Sequence, residues 1–298
     1  MASTSAADIF NVNGLVAVIT GGGTGIGLMM ANALATNGAF KVYIVGRRQS
    51  KLDEAASSHP NIIEPLAGDV TSTDSLIQLA ETVKRKTGYI NLLICNSGQL
   101  GPPSSGGDDM PKESSAATLQ QISNFFLAQP MQDWNDTFAL NCTAVFYTAM
   151  AFLPLLGAGN DPQVSKSAMA GVRSQMCVTS SLGGFNRHHL AGFAYTASKA
   201  AATHMVKVLA TFLGPHRVRV NALAPGLFPT DLSAPLLVGK DATQEGAFPP
   251  SFIPGERTGD ETDAAGMILY LASRAGAYVN GCVLLVDGGR LGMLPATY

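Results

Sequence analysis

The chain is poor in charge, in cysteine and in tryptophan. Of its 298 residues 13% are charged, four are cysteine, five are histidine and one is tryptophan. Each scarcity removes a class of protein. Cys95, Cys142, Cys177 and Cys282 are widely spaced and lack metal-site spacing, so they read as reduced thiols of an intracellular protein, and the scattered histidines make no ligand pattern either; no metal is expected. The formal net charge of −2 gives no global basic field to attract nucleic acid or an anionic membrane surface. No apolar run reaches the length of a membrane span, and the N-terminal MASTSAADIFNVNG lacks a basic start followed by an apolar stretch. A soluble, cytoplasmic protein with a small-molecule partner is expected. Absent motifs narrow it further: no Gly-Lys-Ser/Thr follows the glycine-rich turn, which excludes a P-loop, and no G-x-S-x-G elbow accompanies the serines.

Short β-rich apolar runs alternate with helical patterns. Strands are expected at 15–20 (LVAVIT), 41–46 (KVYIVG), 62–68 (IIEPLAG), 90–95 (INLLIC), 175–180 (QMCVTS), 217–223 (RVRVNAL) and 282–287 (CVLLVD). Runs apolar on both faces suit a sheet covered on both sides. The alternation predicts an α/β fold: a single Rossmann-type, doubly wound domain over residues 1–298, with a seven-stranded parallel sheet flanked by helices on both faces. Two stretches interrupt the rhythm without starting a second core: a Gly/Pro/Ser-rich excursion at about 101–129 and a polar stretch at 157–174. There is no internal repeat.

Three motifs carry chemistry. Thr20-Gly21-Gly22-Gly23-Thr24-Gly25-Ile26-Gly27 follows the first strand and opens a helical run, the arrangement in which glycines let the backbone approach a pyrophosphate at a helix N-terminus. Taken alone, the pattern also allows a plain glycine-rich turn. Gly46, Arg47 and Arg48 end the second strand where a carboxylate would hold the ribose 2′-hydroxyl of NAD. Two guanidiniums there suit a 2′-phosphate instead, the alternative being solvated surface arginines. Tyr195 and Lys199, four residues apart at the start of a helical stretch running to about Leu213, share one helix face. An ammonium near a phenol makes the phenol a better proton carrier.

With these residues the chain resembles the classical short-chain dehydrogenase/reductase family over about residues 10–292. The resemblance rests on the glycine motif at 20–27, Asp69-Val70, Asn96-Ser97-Gly98, Asn141, Ser180-Ser181, Tyr195-x-x-x-Lys199, Pro225-Gly226 with Thr230, and Val286-Asp287-Gly288-Gly289. It implies that Tyr195 is the general acid, that Ser181 hydrogen-bonds the substrate carbonyl, that Lys199 binds the nicotinamide ribose and depresses the Tyr195 pKa, and that Asn141 holds a relay water. It further implies NADP(H) contacts from Gly21, Thr24, Gly25, Ile26, Gly27, Arg47, Arg48, Asp69, Val70, Asn96, Gly98, Pro225, Gly226, Phe228 and Thr230.

Ser97 stands where the family usually has alanine. Ser181 lies one residue farther from the tyrosine than the commonest spacing, which leaves Ser180 as an alternative. His188 and His189 read as solvated loop histidines and Trp134 as a packing residue at a helix start. Residues 227–257 (LFPTDLSAPLLVGKDATQEGAFPPSFIPGER) are expected to be a mobile lid whose Leu, Pro and Phe suggest a fairly apolar ligand. The expected function is NADPH-dependent reduction of a ketone or aldehyde, with a ketone, polyketide-like or 3-oxoacyl substrate. The alternatives are an NAD-dependent alcohol dehydrogenase and a catalytically silent NADPH-binding sensor. A homodimer or homotetramer is expected, from the resemblance and from apolar surface on the helix at 134–156 and on the last strand.

Overall fold

A computed structural model of the chain describes residues 3–105, 114–167, 169, 171–237, 239 and 241–297. The middle of the 101–129 excursion and single positions of the 157–174 and 227–257 segments lie outside the described residues.

Seven strands form one parallel sheet: β1 (Val16–Thr20), β2 (Lys41–Gly46), β3 (Ile63–Ala67), β4 (Leu92–Cys95), β5 (Gln175–Thr179), β6 (Arg219–Pro225) and β7 (Val283–Val286). Their order is β3-β2-β1-β4-β5-β6-β7, so the expected doubly wound architecture is the one observed. Side chains alternate between two cores. Val16 and Val18 of β1, Tyr43 and Val45 of β2 and Leu93 of β4 join one cluster, while Ala17 and Ile19, Val42 and Ile44, and Leu92 and Ile94 join the other. Since successive side chains of a strand point to opposite faces, both faces of these strands must be apolar. Pro65 lies in the edge strand β3, where a missing N–H costs least.

The helices are α1 (Ala6–Ile9), α2 (Gly25–Thr36), α3 (Gln49–Ala56), α4 (Thr73–Lys86), α5 (Leu119–Leu127), α6 (Met131–Phe138), α7 (Ala144–Ala158), α8 (Phe193–Leu213) and α9 (Glu261–Ala272). Ser72 caps α4, whose first turn holds Asp74 and whose last holds Lys84, Arg85 and Lys86, a charge order that complements the helix dipole. Asp260 and Asp263 form a capping box on α9, fastened by Arg257 at 2.6 Å from Asp263.

Three expectations need correction. The helix expected at 134–156 is not regular: a π-helical turn, Ala139–Thr143, separates α6 from α7. Together Met131–Ala158 make a continuous helical stretch of 28 residues, long and apolar enough to cross a membrane, contrary to the expectation that nothing in the chain reaches that length. Its inner face, with Phe152, Leu155 and Leu156, belongs to the protein core. Strand β6 begins at Arg219 rather than 217, because Gly214–His216 form a 3-10 turn closed by Arg217 in the left-handed region.

The 227–257 segment holds a small core of its own, in which Ala242, Phe248 and Ile253 are buried against Leu227 and Leu237. Its second half is fastened: Gly255 N–H donates to the Gly288 carbonyl at 2.8 Å, and Arg290 lies over the Phe252 ring at 3.6 Å and donates to the Phe252 carbonyl. In the excursion, Thr118 and Gln121 form a capping box on α5. This helix leans on the N-terminus of α8 through the edge-to-face pair Phe126–Phe193.

Candidate active site

β1 pairs with β2 on one side and β4 on the other, so the chain order reverses beside β1 and a crevice opens at the C-terminal strand ends. The glycine turn leaves β1 there. Gly21 has a left-handed φ of +64°, and a Cβ on Gly27 would lie 2.2 Å from the Gly21 carbonyl oxygen. Thr24, the N-cap of α2, makes no side-chain capping bond, which leaves first-turn N–H groups available to an anion. Asn96 ties the end of β4 to this turn, its Nδ2 donating to Gly21 O at 3.2 Å and its N–H to Thr20 Oγ1 at 3.0 Å. A Cβ on Gly25 would meet the Thr230 side chain at 3.0 Å, so the start of the 227–257 segment lies over the glycine turn. These features fit a dinucleotide.

Asp69 follows β3 and accepts from the Thr71 hydroxyl and amide. These bonds hold its carboxyl below the usual range, with Arg47 adding to the effect. Val70 is buried beside it. Arg47 and Arg48 are exposed at the end of β2, and Arg48 reaches Asp231 at 3.6 Å across the crevice. Pro225 ends β6, and a Cβ on Gly226 would collide with Asp287 at 2.6 Å. Ile26 packs against the core. The ring of Phe228 is buried against Gly259 in the core.

On the other side of the crevice, α8 and the end of β5 bring Tyr195, Lys199 and Ser181 together. Ser181 lies beside Tyr195, a Cβ on Gly183 standing 3.2 Å from Ser181 Oγ and 2.9 Å from Tyr195 Cε1; burial pushes the phenol above its usual pKa by more than the serine lowers it. Lys199 Nζ sits 5.9 Å from the Tyr195 ring centroid and donates to Thr179 O at 2.8 Å. Burial lowers its pKa from 10.5 to about 8. The Thr179 hydroxyl is buried with no partner, leaving a polar atom in the crevice floor beside the lysine's anchor. Between the two serines the geometry is decisive: Ser180 is turned away into α8, 2.5 Å from Thr203 Oγ1 and 3.2 Å from Lys199 O. Ser181 instead faces Tyr195 and accepts the Gly183 amide at 2.9 Å. Gly183 has to be small, since a Cβ there would meet Tyr195 Cε1 at 2.9 Å.

Asn141 sits in the π turn and is buried. Its Nδ2 donates to Gln99 O and Ser198 Oγ, and its Oδ1 accepts Gln99 N–H. Both amide hydrogens are therefore committed to protein groups, and the side chain itself cannot donate to a relay water. It fixes Gln99 beside Gly98, where a Cβ would stand 3.3 Å from Lys199 Nζ. Removing it strands buried groups at about 1–3 kcal/mol each. Asn141→Ala is expected to lower the unfolding free energy by about 2–4 kcal/mol in a urea titration of the protein without added nucleotide.

His188 is exposed, as expected of a loop histidine, whereas His189 stacks on it at 5.3 Å and also on Phe193 while its carbonyl accepts from Ser104. His189 is thus part of the packed wall at the mouth. Trp134 is half exposed and stacks on Phe138. Ser198, Gln99 and Thr179 carry no chemical signature in the sequence apart from the position of Ser198 next to Lys199.

A family model described as short chain dehydrogenase matches residues 15–240. The short-chain dehydrogenase/reductase PhomF of Diaporthe leptostromiformis is 43% identical over 99% of this chain and 98% of its own length. Among solved structures, the Pseudomonas aeruginosa RhlG/NADP active-site complex superposes with a TM-score of 0.76 at 25% identity, covering 95% of this chain and 98% of that one. A 7α-hydroxysteroid dehydrogenase complexed with NADH and 7-oxo glycochenodeoxycholic acid gives 0.75 at 25% identity, over 96% and 98%.

Proposed function

The chain belongs to the short-chain dehydrogenase/reductase family, and on that premise we propose that it reduces the carbonyl of a fairly apolar ketone or aldehyde with NADPH. The observation that carries this reading is the placement of Ser181 beside Tyr195 with the buried Lys199 ammonium 5.9 Å from the phenol ring. A bound reduced nicotinamide supplies a hydride. The chain's own groups do the rest. Ser181 orients the substrate carbonyl by hydrogen bonding, and Tyr195 delivers the proton to the oxygen as negative charge develops there. A phenol is protonated at neutral pH, as the proton donor of a reduction must be. Lys199 holds the nicotinamide ribose, and Asn141 fixes the Gly98–Gln99 backbone beside it.

For the cofactor, Gly46 offers no carboxylate to a ribose, whereas Arg47 and Arg48 offer guanidiniums suited to a 2′-phosphate. The Arg48–Asp231 pair at 3.6 Å is exposed on both sides and costs little to exchange for a phosphate. NADPH is expected to bind at least about tenfold more tightly than NADH, one charge-assisted contact being worth about 1.5–3 kcal/mol. Arg47→Asp should narrow or reverse that ratio. Fluorescence titration with both nucleotides checks it, and equal affinities would refute it. A panel of apolar ketones followed by NADPH absorbance tests the reaction itself; NADPH binding without oxidation on any ketone would favour a silent sensor.

The protein is read as a cytoplasmic homo-oligomer. Phe146 and Tyr147 on α7 and Val208 and Phe212 on α8 are 40–65% exposed, apolar surface that a second copy would cover. Sedimentation should give a dimer or tetramer of the 30.9 kDa chain, and a monomer at micromolar concentration would contradict it.

A further inference from the structure

The last residues of the chain lie beyond the motifs that mark the family, yet they are built onto the catalytic loop. After β7, Asp287 accepts the Gly289 and Leu291 amides and so fixes the start of a short 3-10 turn, Arg290–Met293. The chain then runs antiparallel to the loop that follows Ser181. Asn186 and Ala296 form the bridge. Arg187 N–H donates to Pro295 O at 2.7 Å, and Thr297 N–H donates to Phe185 O at 2.8 Å. The Thr297 hydroxyl gives the same carbonyl a second bond. Beneath these bonds Leu182, Phe185, Ala224 and Leu291 are buried together, with Leu294 and Ala296 packed against them.

The other side of the loop is equally tight. A Cβ on Gly184 would stand 3.0 Å from the Lys199 backbone, and one on Gly183 would meet the Tyr195 ring. The loop is therefore a middle layer between the C-terminal segment and α8. Loss of the Thr297 donors to the carbonyl of buried Phe185 is costly, so the loop's path depends on the outer segment.

We propose that residues 294–297 are a positioning element for catalysis, holding the 181–187 loop against α8 and thereby setting where the Ser181 hydroxyl stands relative to Tyr195. The inference rests on the reading of Ser181 and Tyr195 as the reacting pair. A misplacement of about 1 Å in such a pair can cost about 100-fold in rate. Among the described residues no hydrogen bond joins the segment to a residue assigned to the nucleotide, so the loss belongs to kcat and not to the KM for NADPH.

The test compares the full chain with a form lacking residues 294–298, with Thr297→Pro, which removes the N–H and the hydroxyl, and with Thr297→Ala, which removes the hydroxyl alone. Tyrosine labelled at the ring carbon bearing oxygen reports the Tyr195 environment, its resonance being assigned by its loss in Tyr195→Phe. The truncated chain and Thr297→Pro should lose about 10–100-fold in kcat with the KM for NADPH within twofold. Their Tyr195 resonance should move toward its position in Ser181→Ala, and Arg187 amide exchange should accelerate. Thr297→Ala should show the smaller loss. Should the truncated chain fail to fold, the two Thr297 variants decide. A folded variant lacking the Thr297 N–H that keeps full kcat and an unmoved Tyr195 resonance overturns the proposal. If the full chain reduces no ketone with NADPH, the functional reading fails, and the resonance and amide exchange still decide the role of the segment.

Discussion

Tyr195→Phe is expected to lower kcat by about 10²–10⁴-fold through loss of the general acid, with a further loss from the missing hydrogen bond to the developing alkoxide. The substitution removes one oxygen. The ring still fills the space against Gly183, and Ser181 still accepts the Gly183 amide, so the loop and the fold should persist. NADPH affinity, read by fluorescence titration, is expected to stay within about threefold, because the nucleotide is assigned to the glycine turn, Arg47, Arg48 and Lys199. Ser181→Ala should be milder, since the phenol keeps its proton and loses only the partner that orients the carbonyl. Near-normal ketone reduction by the Phe variant would leave the fold standing and refute the chemistry.

Lys199→Met is expected to abolish turnover, weaken NADPH binding and at the same time stabilise the fold near neutral pH. The buried ammonium has its pKa lowered from 10.5 to about 8 by desolvation. The folded protein therefore disfavours the charged form, and between pH 8 and 10.5 the unfolded chain binds more protons than the folded one. Stability contributed by this residue rises with pH across that window. Below pH 8 the penalty is fully present, of the order of 3 kcal/mol. Methionine, of similar length and without charge, removes it and forfeits only the Nζ bond to Thr179 O. Urea denaturation of both forms from pH 7 to 10 should give the variant its greatest advantage at pH 7, shrinking as the pH rises. A variant less stable than the parent at pH 7 would mean that the ammonium is better solvated than its burial implies. A residue that costs stability and supplies function is the expected trade-off at an active site.

Much of this was legible in the sequence because it is written in local patterns. β-rich runs such as LVAVIT and KVYIVG read directly as strands of a sheet buried on both sides, and the four-residue spacing of Tyr195 and Lys199 places both on one face of α8. What was not legible depends on contacts between distant segments. The π turn at Ala139–Thr143 carries no sequence mark of its own between the polar α6 and the apolar α7. The two buried amide bonds of Asn141 to Gln99 and Ser198 follow from that turn. Ser180 and Ser181 differ by one residue at a strand end, and the packing of Ser180 on Thr203 and the Lys199 carbonyl gives them different surroundings. The burial of the Phe228 ring in the space left by Gly259 likewise has no mark in the sequence. The 227–257 segment is expected from the sequence to be a mobile lid with Leu, Pro and Phe for an apolar ligand. Its buried residues Ala242, Phe248 and Ile253 share neither a helical nor a strand period, so no pattern announces that half of it is a fastened platform.

The most direct test of the central claim is transfer of deuterium from NADPH labelled at the nicotinamide C4 to an apolar ketone, with the alcohol product analysed by mass spectrometry. The account predicts one deuterium on the carbinol carbon, formed at least about tenfold more efficiently with NADPH than with NADH, given the charge-assisted contacts open to the 2′-phosphate, and lost in Tyr195→Phe. Tight NADPH binding with no label reaching any ketone would contradict it.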